Sequence, residues 1–407
     1  MSTSAPLGMT MGITMQEYNQ KIKVGFIVDD IDRRAMGTAL YMQRLIDQLV
    51  KNHSHEIELV LISREGKGVH PVCRLARHIE IPTFKLQKFS GVFSFMRWFF
   101  MNKEEFDIIH YPRPKLYPFF WVAKTKKNVV TFHDAPEKGS PRFRTPANYF
   151  WEWTIKLWFH KYIDAALGAS HYSAKTIWEY YHTDKDKTFG IQNGGGKGFF
   201  PIDEQKISSA KDTLAEKYKI PFPYILQATR FVPHKNPHRQ IQAFGILKKK
   251  YNVPHKLVIM GGGSSHDPEF DKVVNKAIEV SGAKDDIFIA PFIDDEDMNA
   301  LYNCADLFIQ AGTSDGFSIP IADALSAGLP IVTSDRSVFP EMVGEAGVLA
   351  DPFNPDSMAE AMHKILSDND FKASLSQKAL EQAKLFTWER MSNEMVGIYR
   401  KTLTKQQ

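Results

Sequence analysis

The chain has 407 residues, 43% of them hydrophobic and 24% charged, which is typical of a globular protein. This length predicts two domains rather than one core. A formal net charge of +4 is too small to indicate nucleic-acid binding by itself. The two distant cysteines, Cys73 and Cys304, argue against a disulfide framework or a structural zinc site, and they fit a reducing cytoplasm.

The N-terminal segment, residues 1–20, lacks a charged n-region and a continuous apolar stretch. It is therefore predicted to be a flexible tail rather than a signal peptide. No apolar run elsewhere approaches the length of a membrane span. We expect a cytoplasmic protein, with peripheral contact at the inner face of the membrane left open.

The first half of the chain alternates short apolar strands with helices. A strand at 23–30 leads into a helix at 36–50, where Tyr41, Leu45 and Leu49 recur at helical spacing. Strands that are mostly continuous apolar runs are expected when helices cover both faces of a parallel sheet. The further strands predicted in this half are 56–63, 106–112, 128–134 and 164–170.

The same alternation resumes after a stretch near 193–223 that is rich in Gly, Pro and Lys. Two such sets predict an α/β protein with two doubly wound domains, whose ligands bind at the carboxyl ends of the strands. We therefore expect a cleft between the domains. The strands predicted in the second half are 224–230, 256–263, 286–292, 306–312, 330–335 and 347–351.

A basic loop follows the strand at 224–230 and contains Arg230 and Lys235. A guanidinium and an ammonium group in one loop could clamp a diphosphate. A solvated basic loop explains the spacing equally well.

The stretch "SDGFSIPIADAL" (314–325) places Gly316 and Pro320 at the start of a helix. The N–H groups and the dipole of a helix start favour an anion. An ordinary capped connection explains both residues but leaves Asp323 unexplained, because a carboxylate among apolar helix residues costs free energy. Hydrogen bonds to a sugar diol would justify its position.

His133 follows an apolar strand and is either a structural residue or a polar group facing the cleft. The glycine runs at 193–198 and 261–265 do not match a phosphate-loop motif, and no convincing metal site is visible. Segments 84–103 and 148–162 mix aromatic and basic residues. Such helices either lie on an anionic membrane or pack on the sheet, and packing on the sheet is the commoner case.

In this order, the motifs resemble those of the retaining glycosyltransferases of family 4, which have the GT-B fold of two Rossmann-like domains facing across a cleft. The resemblance covers about residues 22–404 and is most specific from 298 to 351. The motifs that carry it include "VVTFHD", "GASHYSAKTI", "IQNGGGKGFFP", "YILQATRFVPHKNPHRQIQAF" and "MNALYNCADLFIQAGTSDGFSIPIADALSAGLPIVTS".

The resemblance implies an N-terminal acceptor domain at 21–205, a nucleotide-sugar-binding domain at 206–387, and a C-terminal helix at 388–407 that packs back on the first domain. It implies a nucleotide-diphosphate sugar as donor, a glycan, lipid-linked or small-molecule acceptor, and no metal or other cofactor. Catalytic roles are implied for Asp315, His133, Arg230 and Lys235. Donor contacts are implied for Gly37, Arg230, Lys235, Gly262, Phe292, Gly316, Phe317, Ser318, Ile319 and Asp323. Acceptor contacts are expected at Arg33, Arg34 and His133.

The chain departs from the family pattern because aspartates, Asp315 and Asp323, replace both glutamates of the family's glutamate–seven residues–glutamate signature. This departure motivates an alternative function, a lapsed transferase that binds a glycan or nucleotide as a partner subunit. A phosphorylase or an epimerase on the same fold is a further alternative, and a secreted sugar-binding receptor is less favoured.

Overall fold

The computed structural model describes residues 21–33, 37–84, 90–133, 146–261 and 268–404. Within these ranges the strands form two parallel sheets, of seven and six strands. The first sheet has the order β3-β2-β1-β4-β5-β6-β7. Its strands are β1 (Ile22–Ile27), β2 (Ile57–Arg64), β3 (Arg77–Ile81), β4 (Phe106–Tyr111), β5 (Thr125–Phe132), β6 (Ala165–Gly168) and β7 (Thr188–Gly190). The helices between them are α1 (Gly37–His53), α2 (Ser90–Met101), α3 (Pro146–Leu157) and α4 (His171–Tyr181).

The second sheet has the order β10-β9-β8-β11-β12-β13. Its strands are β8 (Tyr224–Ala228), β9 (Lys256–Met260), β10 (Ile287–Ile289), β11 (Leu307–Gln310), β12 (Ile331–Ser334) and β13 (Gly347–Ala350). The helices that follow β7 along the chain are α5 (Glu204–Tyr218), α6 (Pro237–Tyr251), α7 (Pro268–Val280), α8 (Met298–Asn303), α9 (Ile319–Ser326), α10 (Phe339–Val343), α11 (Pro355–Ser367), α12 (Asn369–Ala383) and α13 (Trp388–Thr404).

The central strands are apolar on both faces because helices cover both sides of each sheet. Val24 and Phe26 of β1 pack into one apolar cluster with α1, whereas Ile27 packs with α2 on the other side. The strands predicted from apolar runs are confirmed. The outer strands β3 and β7 were not predicted.

Each sheet has a point where the strand order reverses, between β1 and β4 in the first sheet and between β8 and β11 in the second. The connections leaving two such neighbouring strands run to opposite faces of the sheet, and a crevice opens at their carboxyl ends. These two crevices are the places where a doubly wound protein binds its ligands.

The chain passes between the two domains twice, once after β7 and once before α13, and the two crossing segments are in contact. A methyl group added at Gly194 would lie 2.4 Å from Cδ2 of Trp388, and the Gly195 amide donates to the Phe386 carbonyl at 3.0 Å. Beyond this crossing α13 lies on the first domain, where the Tyr399 hydroxyl is 2.6 Å from Nδ1 of His110. The crossing therefore places the start of α13 against the glycine-rich loop that leaves the first domain.

Candidate active site

An ion pair lies at the crevice of the second sheet. Lys235 follows β8 and Asp315 follows β11, and the Lys235 ammonium contacts Oδ2 of Asp315. The Asp315 side chain is only 10% exposed and that of Lys235 21%. The two strand-end residues predicted from the sequence are thus brought together at the point where the fold places a ligand.

The backbone around Lys235 is held by buried amide side chains. Gln240 donates to the Lys235 carbonyl at 2.7 Å, and Gln227 donates to Oε1 of Gln240 at 2.9 Å. Asn236 adopts a left-handed conformation (φ 58°) and donates to the carbonyls of Ala311 (3.1 Å) and Pro352 (2.6 Å). Because buried amides must be satisfied, these bonds fix the Lys235 loop against β11 before any ligand binds.

The turn after Asp315 leads into α9 and presents its N-terminus. The Gly316 amide donates to Oδ1 of Asp315 at 3.0 Å, and Pro320 lies in the first turn of the helix. Within the described residues no side chain caps this helix. The side chains of Phe317 and Ser318 are buried, and the Ser318 hydroxyl donates to Gln310 at 2.8 Å. The Ser318 amide also has a partner, because it donates to Sδ of Met342 at 3.2 Å.

The first domain approaches this turn at two places. A methyl group added at Gly37, the first residue of α1, would lie 3.8 Å from Cδ1 of Ile319. The Ser173 hydroxyl of α4 donates to the Gly316 carbonyl at 2.8 Å. Gly37, Gly316 and Ile319 are therefore neighbours across the cleft.

His133 directly follows β5, as predicted. Its Nε2 donates to the Pro112 carbonyl at 2.6 Å, and its ring packs edge-on against Tyr41 with centroids 4.6 Å apart. The Tyr41 hydroxyl in turn lies 3.1 Å from the Thr131 hydroxyl. The bond to the Pro112 carbonyl requires a proton on Nε2, and together with the Tyr41 contact it orients the ring.

Asp323 lies in α9 and faces the glycine-rich loop. Its Oδ1 accepts the Gly196 amide at 2.9 Å. Burial raises the pKa of Asp323 to about 7, against the opposing effects of the Gly196 amide and the Arg44 charge. The carboxylate thus holds the loop between the domains, and its predicted contact with a ribose diol stays a prediction.

Glu341 makes a contact between the domains that the sequence did not indicate. This α10 side chain accepts the backbone amides of His171 (3.0 Å) and Tyr172 (2.8 Å) and the side-chain amide of Gln192 (3.0 Å). It therefore caps α4 from the other domain, next to the Ser173–Gly316 contact. No sequence signal could have identified this contact, because two of the three partners of Glu341 are backbone amides that lie about 170 residues away along the chain.

The structure shows no contact between the Lys235–Asp315 pair and the described residues Phe292 and Arg33. Arg230 is exposed at the end of β8, and Phe292 is 83% exposed after β10. Arg33 forms an ion pair with Asp30 at 2.8 Å. Arg34 and Gly262 lie outside the described residues.

Two kinds of feature are absent from the described part of the chain. No cluster of three or more His, Cys, Asp or Glu side chains is arranged to hold a metal ion. No helix in these ranges is long and apolar enough to cross a membrane.

Comparisons with known proteins agree with this architecture. Residues 36–194 match the family model described as glycosyltransferase family 4, and residues 210–382 match the one described as glycosyl transferases group 1. The chain is 24% identical over 286 residues to O-antigen chain mannosyltransferase B of Escherichia coli, covering 69% of this chain and 72% of that protein. It is 26% identical over 265 residues to serotype-specific mannosyltransferase WbdA of Escherichia coli, covering 64% of this chain but only 32% of that protein.

The fold is likewise shared with solved structures. That of Anabaena Alr3699/HepE in complex with UDP and glucose has a TM-score of 0.74 at 15% identity, covering 93% of this chain and 100% of that one. The two parallel-sheet domains match this solved structure, and both family models match the sequence. The chain therefore belongs to the family 4 glycosyltransferases and has the GT-B fold.

Proposed function

We propose that this protein is a retaining hexosyltransferase that uses a nucleotide-diphosphate sugar and needs no metal ion. The observation that carries the proposal is the Lys235–Asp315 pair at the β8/β11 crevice, beside the uncapped start of α9. A cation and a helix N-terminus at one crevice suit a diphosphate. A carboxylate beside them suits the sugar that the diphosphate carries.

The reaction breaks the bond between the anomeric carbon and a phosphate oxygen, so negative charge grows on the diphosphate. Lys235, Arg230 and the α9 N-terminus would stabilise this charge, because fixed donors aimed at developing charge lower the barrier. Asp315 would stabilise the positive charge that develops on the sugar. The acceptor oxygen attacks from the face that the leaving group vacates, and its proton passes to the departing phosphate oxygen. This geometry retains the anomeric configuration.

The sugar and acceptor are proposed from the relatives. O-antigen chain mannosyltransferase B and WbdA are both named as mannosyltransferases, and the first is named for O-antigen chains. A hexose, with mannose tested first, and a surface polysaccharide or its lipid-linked precursor are therefore the substrates to examine.

The test begins with a thermal-shift screen of uridine, guanosine and adenosine diphosphates and their hexose conjugates, followed by turnover with the best donor. Lys235→Met should lower kcat by about 10²–10³-fold, the usual cost of removing one stabilising donor. Lys372→Met is the matched control, since Lys372 pairs with Asp306 at the opposite end of β11. Unchanged donor hydrolysis and transfer in Lys235→Met would refute the proposed clamp. Nucleotide binding without any hydrolysis over hours would favour the lapsed-transferase alternative.

The structure also bears on peripheral membrane contact. The α3 side chains of Tyr149, Phe150, Trp153 and Leu157 are 48–57% exposed and share one helical face, which Lys156 borders. Contiguous exposed apolar side chains are unusual on a monomeric protein and mark an interaction surface. In α2, by contrast, Phe95 and Phe99 are buried, which favours the packing alternative for much of that segment.

We therefore propose that α3 places the first domain on an anionic lipid surface, where such a face can insert at the headgroup level. Trp153→Ser should reduce co-sedimentation with phosphatidylglycerol vesicles several-fold. Val280→Ser is the control, because Val280 is 64% exposed on α7 of the second domain. Equal vesicle binding by wild type and both variants would contradict the proposal.

A further inference from the structure

The crevice of the first sheet holds a second charged site that the proposed clamp does not use. A small, partly open pocket lies at the carboxyl ends of β1 and β4, where the strand order reverses. Its walls include Asp30, Arg113, Lys115 and Tyr111. This is the position in a doubly wound domain at which a ligand is expected.

The carboxylates of this pocket are already paired. Asp29 accepts from Nε and Nη2 of Arg64 at 3.0 and 2.8 Å. Asp30 accepts from Arg113 at 2.7 Å and pairs with Arg33 at 2.8 Å. Three guanidinium groups therefore face two carboxylates, and the pairs leave positive charge in excess.

Lys115 adds a further positive charge. Among the described residues no carboxylate lies within ion-pair distance of its ammonium, whose recorded contact is the face of the Tyr117 ring, 5.4 Å from the centroid. Its half-buried position lowers the pKa of Lys115, although Asp30 and Asp29 oppose this effect. A partly desolvated cation without a close counter-ion is costly by itself, and an anion entering the pocket would offset that cost.

Tyr111, the last residue of β4, supplies a hydrogen-bond donor. It is 1% exposed, and its hydroxyl has no hydrogen-bond partner in the part of the chain that the structure describes. Buried hydroxyls are normally satisfied, so an unsatisfied one in the wall of a charged pocket indicates a missing ligand group. Burial raises the pKa of Tyr111 well above its ordinary value, so the hydroxyl keeps its proton and can donate.

From this geometry we infer that the β1/β4 pocket binds a phosphate group of the acceptor, with Lys115 supplying charge and Tyr111 donating a hydrogen bond. The statement that this phosphate belongs to an acceptor rests on the proposed transferase function. The anion site itself does not depend on that function. Pro112 links the pocket to the cleft, because it lines the pocket and its carbonyl accepts from His133 at 2.6 Å. A phosphate held here would place the rest of the acceptor beside His133.

The experiment measures phosphate binding by ³¹P NMR titration in a Lys235→Met background, which weakens anion binding at the second crevice. Lys115→Met and Tyr111→Phe should each weaken binding of inorganic phosphate about tenfold, the usual effect of losing one charged contact. Lys126→Met is the control, since Lys126 is exposed and pairs with Asp107 at the far edge of the same sheet. Phosphate binding that is absent, or equal in all four proteins, would overturn the inference.

Both test variants should fold, because one removes a desolvated charge and the other an unsatisfied hydroxyl. Tyr111→Phe keeps the test decisive if Lys115→Met does not fold. Repeating the titration with a hexose phosphate and with a polyprenyl phosphate in micelles identifies the source, and tighter binding of either one supports the site. Lys115-dependent phosphate binding in a protein that turns over no nucleotide sugar would refute the transferase proposal and leave the anion site standing.

Discussion

Asp323→Asn should change how the stability of this protein depends on pH. The wild-type carboxylate accepts the Gly196 amide at 2.9 Å, and an asparagine carbonyl can accept the same bond. The substitution is nearly isosteric, so it removes the charge and little else. Because burial raises the pKa of Asp323 to about 7 from a reference of 3.8, ionising this group in the folded protein is unfavourable.

The sign follows from linkage. The folded state holds a proton that the unfolded state has lost between pH 3.8 and about 7, so wild-type stability falls as pH rises through this window. The difference corresponds to at most about 4 kcal/mol, and about 2 kcal/mol is a reasonable value after discounting for solvent access to the site. At pH 8 Asp323→Asn should be more stable than wild type by that amount, and near pH 4 the two proteins should be equal.

Urea unfolding of both proteins from pH 4 to 8.5 gives the comparison, and a ¹³C NMR titration of the Asp323 carboxylate gives the pKa directly. Hydrogen exchange of the Gly196 amide reports on the same contact even if the two domains unfold separately. Two parallel stability curves, or a carboxylate that titrates near pH 4, would show that the side chain is solvated and that the reasoning is wrong.

Three further substitutions are tested by urea unfolding, two at contacts between the domains and one at an open position on α13. Glu341→Gln should lower the free energy of unfolding by about 1–2 kcal/mol, because it weakens charge-assisted hydrogen bonds at the α4 N-terminus. Glu345→Gln is the control, since Glu345 lies on the exposed surface. An equal effect of both substitutions would contradict this role of Glu341. Gly195→Ala should lower the free energy of unfolding by about 1–3 kcal/mol, because the new methyl group would lie 2.2 Å from Cβ of Ala322. Unchanged stability would show that the loop around Gly195 is not packed on α9. Gly397→Ala, in α13 with no atom within 4 Å of the new methyl group, should instead stabilise by about 0.5–1 kcal/mol, and a loss would indicate hidden crowding.

The sheets were predictable from the sequence because parallel strands covered on both faces are continuous apolar runs. β3 was missed because "RHIEI" is an edge strand whose outer positions are polar and exposed. β7 was missed because only three residues, Thr188–Gly190, pair with β6. These two edge strands are only partly buried, so their sequences lack the continuous apolar run that identifies the central strands.

The candidate site was predictable only for residues that follow a strand, because the rule for ligand positions in doubly wound domains concerns strand ends. Lys235 and Asp315 both follow strands, and the rule that ligands bind at carboxyl strand ends places them together. Glu341 was not predictable, because its partners are backbone amides on another domain and no pattern in one sequence records such a contact. Phe317 and Ser318 carry family resemblance, yet the structure shows that their side chains belong to the core.

The contacts between the domains converge on the turn at Asp315 and Gly316 and on the helices α9 and α10, rather than on a distant hinge. Ser173 holds the Gly316 carbonyl, Glu341 caps the helix that carries Ser173, and Asp323 holds the glycine-rich loop at Gly196. A rotation of one domain against the other must strain or break these bonds, since each bond joins the α9–α10 region to a segment of the first domain or of the crossing. The angle between the domains and the shape of the turn at Asp315 are therefore coupled, and a substrate that bridges both crevices would act on both at once.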